Sequence, residues 1–197
     1  AAGRSGTLKV VLREDGPPSA LRLALEAGAP ASGITVEVVA AAGLPGALGD
    51  ADALVLNDVA RLGPAELQAT LDFYRAGGGL FVVLGPQADA AFWNDAVLRE
   101  LKAGTAAGIE AAPQGSAWRL LRVAAAHPVL AGFPPRPGEA LSSARFTTVR
   151  AFRLGPAARA LLEFDRAHPA LIEAPHAFVF AAPLDPSASD FPVSGAF

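Results

Sequence analysis

Residues 52–87 of this chain read DALVLNDVARLGPAELQATLDFYRAGGGLFVVLGPQ. The stretch opens with the short apolar run Ala53 to Leu56, which is typical of a strand buried on both faces. Leu80 to Leu84 is a second such run, rich in β-branched and aromatic residues and without polar alternation. We predict that both runs are central strands of one sheet.

The residues between these two runs predict a helix. Gly63 suits the N-cap and Pro64 the first helical position, while Gly77–Gly79 supply a left-handed cap and a turn. The apolar residues at positions i, i+4 and i+7 form one core-facing stripe rather than a cofactor site: Leu67, Leu71 and Tyr74. A strand-helix-strand unit with buried strands implies a parallel pair joined by a right-handed crossover.

The residues before this unit extend the same pattern. Residues 8–12 (LKVVL) and 34–39 (ITVEVV) read as strands, and a helix of about residues 20–27 lies between them. We expect this helix to end at Gly28, and we expect residues 43–49 (GLPGALG) to form a loop. The resulting order of β, α, β, β, α, β is typical of a doubly wound α/β sheet.

The residues after Gly85 predict one more helix, followed by mainly β structure. Residues 90–101 read as a helix capped by Asp89, with Trp93 nearby or at the rim of its apolar face. Residues 104–115 read as a loop with one short strand near Ile109. Further strands are predicted at residues 118–123, 144–152, 160–164, 170–173 and 177–181.

Charges on the later strands indicate how this part of the sheet is exposed. Arg145, Arg150 and Arg153 follow one another along the predicted strands, which favours antiparallel strands with a solvated face. We therefore predict a single α/β domain over residues 1–197. Its sheet is doubly wound, mostly parallel and flavodoxin-like, with a small antiparallel β extension in the C-terminal third.

Composition excludes several classes of function. The chain of 197 residues contains no cysteine, so it has no disulfide, thiolate metal site or cysteine nucleophile. Its net charge is −3 and its arginines are scattered, so we expect no nucleic-acid partner. No apolar run approaches the ~18 residues of a membrane span. Since the sequence has no methionine, even at position 1, we expect it to be a segment of a longer protein.

Three polar residues that follow predicted strands form a candidate ligand crevice: Asp58, Gln87 and Asp185. Ligands of open α/β sheets bind beyond the carboxyl ends of the strands, where all three are expected. For Asp185, in the stretch 185–190 (DPSASD), we favour capping of a local turn over ligand binding. The three histidines form no i, i+4 pair, so we expect no metal site. The glycine groups at residues 43–49 and 77–79 are interpreted as turns and not as phosphate-binding loops, and we expect no cofactor.

The histidines also define a less favoured hydrolase hypothesis. His127 precedes a proline in a predicted turn, where a side chain usually satisfies nearby backbone groups. His168 and His176 flank a predicted strand and, with Asp165, could belong to a catalytic set. No serine lies in the G-x-S-x-G context of a nucleophile elbow, which counts against a triad.

Four segments carry a resemblance to a known family: LVLND (54–58), LDFYRAGGGLFVVLG (71–85), HPVLAGF (127–133) and FVFAAPLDPSASDFPVSGAF (178–197). They resemble the class I glutamine amidotransferase-like domain of bacterial membrane proteins of the BatA/aerotolerance-regulator type. The resemblance implies an N-terminal membrane segment, often a von Willebrand A domain, and an extracytoplasmic position for this domain. The turn at residues 76–79 and the pair His127-Pro128 also occur in ThuA-like domains, a neighbouring possibility.

The chain departs from the active amidotransferases at the position of their nucleophile. Those enzymes place a cysteine on a G-x-C-x-G elbow after the central strand, whereas residues 84–89 here read LGPQAD. We therefore expect no glutamine hydrolysis. The favoured hypothesis is an inactive domain with a structural or interaction role in an envelope membrane protein. Its expected partners are other proteins or other domains of the same protein, with the membrane reached through segments outside this chain. The alternative is a domain that binds a small ligand such as a sugar or glycan.

Overall fold

The computed structural model describes residues 7–191 except 123, 125 and 132–139. Within these residues the strands are β1 (Leu8–Glu14), β2 (Ile34–Val39), β3 (Ala53–Asn57), β4 (Gly79–Val83), β5 (Gly104–Ala111), β6 (Trp118–Arg122), β7 (Arg145–Phe146), β8 (Thr148–Leu154), β9 (Arg159–Phe164), β10 (His168–Ala174) and β11 (Ala177–Phe180). The α-helices are α1 (Ala20–Ser32), α2 (Leu44–Ala47), α3 (Pro64–Arg75), α4 (Ala90–Trp93), α5 (Arg99–Leu101) and α6 (Ala140–Ser143). A π-helical turn, Asn94–Leu98, joins α4 to α5, and 3₁₀ turns occur at Ala41–Gly43, Leu48–Asp50 and Pro128–Leu130.

Nine strands hydrogen-bond into one sheet in the order β2-β1-β3-β4-β11-β10-β9-β6-β7. The strands β2, β1, β3, β4 and β11 are parallel. The strands β10, β9, β6 and β7 continue the sheet in antiparallel pairs. β5 and β8 form a separate antiparallel sheet. The predicted α/β fold, with a mostly parallel sheet and an antiparallel extension, is confirmed.

The unit β3-α3-β4 positions the candidate site. β3 and β4 pair in parallel, with Ala53 opposite Gly79. At the start of α3, Glu66 Oε2 accepts a hydrogen bond from the backbone amide of Gly63 at 2.8 Å, as a capping residue does. Gly77 has a φ of 92°, which confirms the predicted left-handed turn. Because the two strands are parallel neighbours, the connections that follow them leave the sheet at the same edge.

The first helix is longer than predicted. α1 passes through Gly28 and continues to Ser32, and its left-handed cap is Gly33, with a φ of 67°. The Gly33 amide donates to the carbonyl of Ala29. A glycine inside a helix costs only about 1 kcal/mol relative to alanine, so the helix passes through Gly28 and ends where Gly33 supplies the left-handed cap.

The loop predicted at residues 43–49 is also wrong. The segment forms the short helix α2 and enters a 3₁₀ turn. Leu44, Ala47 and Leu48 are buried in the core, so tertiary packing holds this glycine-containing stretch in helical turns. Local turn signals therefore lose to burial at this place.

Two predictions in the C-terminal half are corrected by pairing. Residues 104–111 are not loop but the strand β5, which pairs with β8. The single strand predicted at residues 144–152 is two strands, since β7 joins the large sheet and β8 the small one. Arg145 and Arg153 are exposed as expected, but Arg150 is only 4% exposed. The prediction of a solvated face over the whole of this region is therefore wrong.

Two apolar layers lie on the two faces of the nine-stranded sheet. One layer packs α2, α3, α4 and α5 on the sheet and includes Leu56 and Trp93. The other packs α1 and the antiparallel end of the sheet and includes Leu21 and Phe180. Trp93 is fully buried and donates from Nε1 to the carbonyl of Val59 at 2.9 Å, so it belongs to the core and not to the rim.

The longest helix described is α1, with 13 residues. In the described part of the chain, no helix is both long and apolar enough to cross a membrane.

Candidate functional site

The connection after β4 is the stretch that the family resemblance aligns with the cysteine elbow of active amidotransferases. Residues 85–88 lead into α4, whose N-cap is Asp89. Asp89 Oδ1 accepts a hydrogen bond from the amide of Phe92 at 3.1 Å, as the sequence predicts for a cap. Pro86 and Gln87 are exposed. The connection offers neither a thiol nor a hydroxyl group for nucleophilic attack.

Asp58, the first residue after β3, reaches this connection. Its backbone has a φ of 48°, and its Oδ1 accepts hydrogen bonds from the amides of Gln87 and Ala88, each at 3.1 Å. A Cβ atom on Gly85 would lie 2.4 Å from the carboxyl carbon of Asp58. Gly85 is therefore required for the Asp58 carboxylate to fit beneath the connection.

Arg150 of β8 binds the carbonyl groups of the same connection. It is 4% exposed, and its guanidinium donates to neutral backbone oxygens. The acceptors at the connection are the carbonyls of Leu84 at 3.3 Å, Gly85 at 2.5 Å and Ala88 at 2.9 Å, and a fourth acceptor, Ala107 at 2.7 Å, lies in β5. Together, Asp58 satisfies amides and Arg150 satisfies carbonyls of one short segment, which holds that segment in a single shape.

Burial removes water from the charged groups of Asp58 and Arg150 and shifts both of their pKa values. Burial raises the pKa of Asp58 to about 6, although hydrogen bonds from the amides of Ala88 and Gln87 and the nearby charge of Arg150 act to lower it. Burial also lowers the pKa of Arg150, against the attraction of Asp58 and Asp89. The Asp58 carboxyl is therefore mostly ionised at neutral pH and takes up a proton in mildly acidic solution.

This geometry limits the chemistry available at the connection. Backbone amides that converge on one oxygen are the donors that acyl-transfer enzymes offer to a developing oxyanion. Here the Asp58 carboxylate accepts the hydrogen bonds of two adjacent amides. These amides therefore hold the backbone of the connection in place and are not available to stabilise a reaction intermediate.

The three residues of the predicted crevice are placed differently. Asp58 and Gln87 are in direct contact through the Gln87 amide. Asp185 is exposed, and its Oδ1 accepts a hydrogen bond from the amide of Ser187 at 2.8 Å. This interaction with Ser187 lowers the pKa of Asp185. The hydrogen bonds described for Asp185 close its own turn, and none of them joins it to Asp58 or Gln87.

A second polar cluster lies at the same edge of the sheet and was missed by the sequence reasoning. Glu14 ends β1, Asn57 ends β3 and Ser19 caps α1. Glu14 Oε2 accepts hydrogen bonds from Ser19 Oγ at 2.5 Å and Asn57 Nδ2 at 3.1 Å. Strand order reverses between β1 and β3, and such switch points are common ligand sites. The available signal was that both Glu14 and Asn57 directly end buried strands.

A buried ion pair supports this edge. Arg13, 4% exposed, places Nε 2.9 Å from Oε1 of Glu66, which is 7% exposed. Arg13 Nη1 also lies 2.8 Å from Asp15 Oδ1. The pair connects the end of β1 to the first turn of α3, so we assign Arg13 and Glu66 a positioning role.

His127 has both ring nitrogens engaged. Nδ1 accepts a hydrogen bond from the amide of Val129 at 3.3 Å, which places the proton on Nε2. Nε2 lies 3.2 Å from Glu173 Oε1. The other oxygen of Glu173 binds Arg159 Nε at 2.5 Å, and this bond lowers the pKa of Glu173. The histidine-carboxylate contact that a hydrolase needs is present, but the ring keeps no free lone pair for a general base.

The other two histidines lie at or just beyond the two ends of β10. His168 packs edge-on against Trp118 at 5.0 Å, and its Nε2 is 3.9 Å from Glu110 Oε2. His176 is exposed in the turn between β10 and β11. Asp165 Oδ1 accepts a hydrogen bond from the Arg119 amide at 2.9 Å. Within the described residues, no group of three His, Asp or Glu side chains is placed to hold a metal ion.

Among the comparisons with known proteins, the one with solved structures bears on the fold. No protein-family model matches the sequence, and no curated protein matches it. Among solved structures, a cytoplasmic protein from Salmonella typhimurium is 16% identical, with a TM-score of 0.64 over 91% of this chain and 89% of its own. A ThuA-like protein from Bacteroides uniformis is 12% identical, with a TM-score of 0.62 over 91% of this chain and 83% of its own. A glutamine amidotransferase from Thermotoga maritima is 11% identical, with a TM-score of 0.52 over 88% of this chain and 74% of its own.

The chain thus has the α/β fold of ThuA-like proteins and class I glutamine amidotransferases. At these identities the likeness concerns fold and not activity. Since the chain has no cysteine, it lacks the nucleophile of the cysteine-based amidotransferase mechanism.

Proposed function

We propose that this chain is a catalytically silent amidotransferase-like domain with a structural or interaction role in a bacterial envelope membrane protein. The proposal rests on the hydrogen bonds and the residue types of the connection after β4. Asp58 accepts hydrogen bonds from its amides, Arg150 donates to its carbonyls, and residues 85–88 contain no nucleophile. A segment held in this way serves stability better than turnover.

The envelope context of the proposal comes from the sequence motifs. LVLND at residues 54–58 and HPVLAGF at residues 127–133 resemble segments of the BatA/aerotolerance-regulator type; residues 132 and 133 lie outside the described part. On this basis we place the domain on the extracytoplasmic side, with membrane attachment through segments outside this chain. Other proteins, or other domains of the same protein, are its proposed partners.

Activity assays test the catalytic half of the proposal. The purified chain is incubated with glutamine, a p-nitrophenyl ester and p-nitrophenyl phosphate, and product formation is compared with buffer. We expect no turnover above the buffer rate. Turnover that is abolished by His127→Ala, His168→Ala or His176→Ala, and that is retained by Arg153→Ala as an exposed control, would replace this proposal with the hydrolase hypothesis.

A second candidate function, binding of a sugar or glycan, is favoured by the polar cluster at the switch point. Glu14, Ser19 and Asn57 already exchange hydrogen bonds there, and polyols are recognised by carboxylate and amide groups of this kind. Asp58 and Gln87 lie at the same edge, and Asp185 is the remaining residue of the predicted crevice.

Titration with simple sugars tests this candidate. Amide chemical shifts are followed while galactose or N-acetylglucosamine is added to the ¹⁵N-labelled chain. Binding predicts saturable shifts at Asn57 and Asp58 that Asn57→Ala abolishes. Shifts that are absent, or that are scattered over the surface and do not saturate, would eliminate the switch point as a sugar site.

A further inference from the structure

The backbone of the connection after β4 directs two amides at one negatively charged oxygen. The amides of Gln87 and Ala88 both donate to Asp58 Oδ1, each at 3.1 Å. Neighbouring backbone N–H groups that face one point form a concave binding site for an anion. In this chain the anion is the side chain of Asp58, which reaches the amides from the neighbouring strand β3.

Contacts that do not involve the Asp58 carboxylate anchor the connection at both ends. At its start, the amide of Leu84 donates to the carbonyl of Phe180 in β11 at 2.9 Å. At its end, the amide of Asp89 donates to the carbonyl of Ala60 at 3.1 Å. The path of the connection across the edge of the sheet is therefore set by its two ends as well as by Asp58.

Arg150 holds the middle of the connection from the side of its carbonyls. Its guanidinium donates to the carbonyls of Gly85 and Ala88. Ala88 thus has its carbonyl bound by Arg150 and its amide directed at Asp58. Since Arg150 is buried and makes these bonds without the carboxylate, we expect the amides to keep their direction when the carboxylate is removed. The positive charge of Arg150 also attracts an anion to this place.

The conformation of Asp58 is unfavourable in two respects. Its φ of 48° lies in the left-handed region, where residues other than glycine are uncommon. Burial raises the pKa of its carboxyl to about 6, although hydrogen bonds from the connection act to lower it. Backbone strain that the surrounding structure maintains is concentrated at functional sites and at contacts that control them. The strained residue here is the one that fills the amide site.

The filled site lies next to solvent. Asp58 is half-buried, and Pro86 and Gln87 beside it are exposed. A Cβ atom on Gly85 would lie 2.4 Å from the Asp58 carboxyl carbon, so glycine at this position leaves room for one carboxylate group. A small carboxylate from solution can therefore reach the same amides once the side chain of Asp58 is removed.

We propose that residues 85–88 form a carboxylate-binding site that Asp58 keeps closed as an intramolecular ligand. Without the Asp58 carboxylate, the amides of Gln87 and Ala88 bind a free carboxylate of the size of formate, with Arg150 supplying the nearby positive charge. The inference rests on the proposed silent role and deepens it, because it names the contact that closes the connection to ligands.

Titration of the Asp58→Gly variant with sodium formate tests the proposal. Glycine removes the carboxylate and adopts the positive φ without strain. Amide chemical shifts of the ¹⁵N-labelled chain are followed at pH 7.5, with sodium chloride at equal ionic strength as the reference. We expect saturable shifts at Gln87 and Ala88 with a Kd on the order of 10–100 mM, since few charge-assisted hydrogen bonds hold so small a ligand.

The controls separate the removal of the carboxylate from other effects of substitution. Asp58→Asn keeps a side-chain oxygen against the amides and is expected not to respond to formate, as is the unmodified chain. Asp185→Gly removes a carboxylate that accepts from the Ser187 amide in its own turn, and we expect no formate shifts at Gln87 or Ala88. Asp58→Ala, which also lacks the carboxylate, is the second variant should Asp58→Gly not fold.

Several outcomes would overturn the inference. These are the absence of saturable shifts at Gln87 and Ala88 in Asp58→Gly, an equal response of Asp58→Asn, and shifts that sodium chloride reproduces. If Asp58→Gly and Asp58→Ala are both unfolded and remain so in formate, the site is not preformed and the inference is likewise wrong. The turnover assays use the unmodified chain and other compounds, so failure of the carboxylate site is distinguishable from failure of the proposed silent role.

Discussion

Replacement of Arg150 by methionine tests whether the hydrogen bonds from Arg150 to the connection after β4 stabilise the fold. Methionine keeps an unbranched side chain but removes all of the guanidinium donors. The carbonyls of Leu84, Gly85, Ala88 and Ala107 then lose their side-chain donor. Three of these residues are buried and the fourth, Ala107, is exposed and accessible to water.

The expected loss follows from these three buried acceptors. Each buried carbonyl left without a donor costs about 1 kcal/mol or more, and the Asp58 carboxylate also loses a compensating charge. Removal of the buried guanidinium returns part of this cost, since the group is no longer desolvated. We expect Arg150→Met to lower the free energy of unfolding by about 3–5 kcal/mol, the range found when one partner of a buried charge network is removed.

Urea unfolding at pH 7.5, followed by the fluorescence of the two buried residues Trp93 and Trp118, measures this change. Arg153→Met is the matched control, because Arg153 lies on the same strand and is exposed, and it is expected to change stability by less than about 0.5 kcal/mol. If the free energies of unfolding of the two variants agree within about 1 kcal/mol, the Arg150 hydrogen bonds do not stabilise the fold and the reasoning is wrong.

Three further substitutions test individual contacts. Gly85→Ala places a Cβ 2.4 Å from the Asp58 carboxyl carbon and is expected to cost about 2–3 kcal/mol in urea unfolding, whereas Gly108→Ala, with open space around it, is expected to change little; equal effects would contradict the close approach. Asp58→Asn keeps an oxygen acceptor but cannot ionise. The folded pKa of Asp58 is raised to about 6, so the free energy of unfolding of the unmodified chain falls as pH rises from 4 to 6. The variant does not share this loss, so its stability relative to the unmodified chain should rise by about 1–2 kcal/mol between pH 4 and pH 7, after allowance for the partial exposure of Asp58. A stability difference that does not depend on pH would refute this. Asn94→Ala removes two hydrogen bonds to the backbone of Ala106, at 2.7 and 2.8 Å, and is expected to cost about 2–3 kcal/mol; an unchanged thermal midpoint would contradict a role for Asn94 in holding β5.

The unit β3-α3-β4 was predictable because its signals are local. The spacing of apolar residues in the helix, the glycine turn at residues 77–79 and the two uninterrupted apolar strands each depend on neighbours within a few positions. The same reasoning predicted α1 but ended it at Gly28 instead of Gly33. It failed for residues 43–49, where burial of Leu44, Ala47 and Leu48 outweighs the glycine signals. Local signals therefore predict elements well where tertiary packing agrees with them, and poorly where packing opposes them.

The candidate site was predictable only in part. Asp58 and Gln87 were expected at one edge of the sheet because both follow neighbouring parallel strands, and they are in contact. Asp185 follows β11, which also belongs to the parallel set, yet its turn engages its carboxylate locally. The contact between Glu14 and Asn57 could not be predicted from the sequence, because it depends on β1 and β3 being neighbours in the sheet.

The sequence alone was enough to establish an α/β fold and the absence of a cysteine nucleophile, and to locate the connection that the family resemblance aligns with the nucleophile elbow. The tertiary structure alone decided that β11 pairs with β4 and that Arg150 is buried against that connection from 65 residues away. The reason is physical. Periodicity and turn residues report the local backbone, whereas hydrogen bonds and cavities between distant segments depend on which surfaces the sheet brings together.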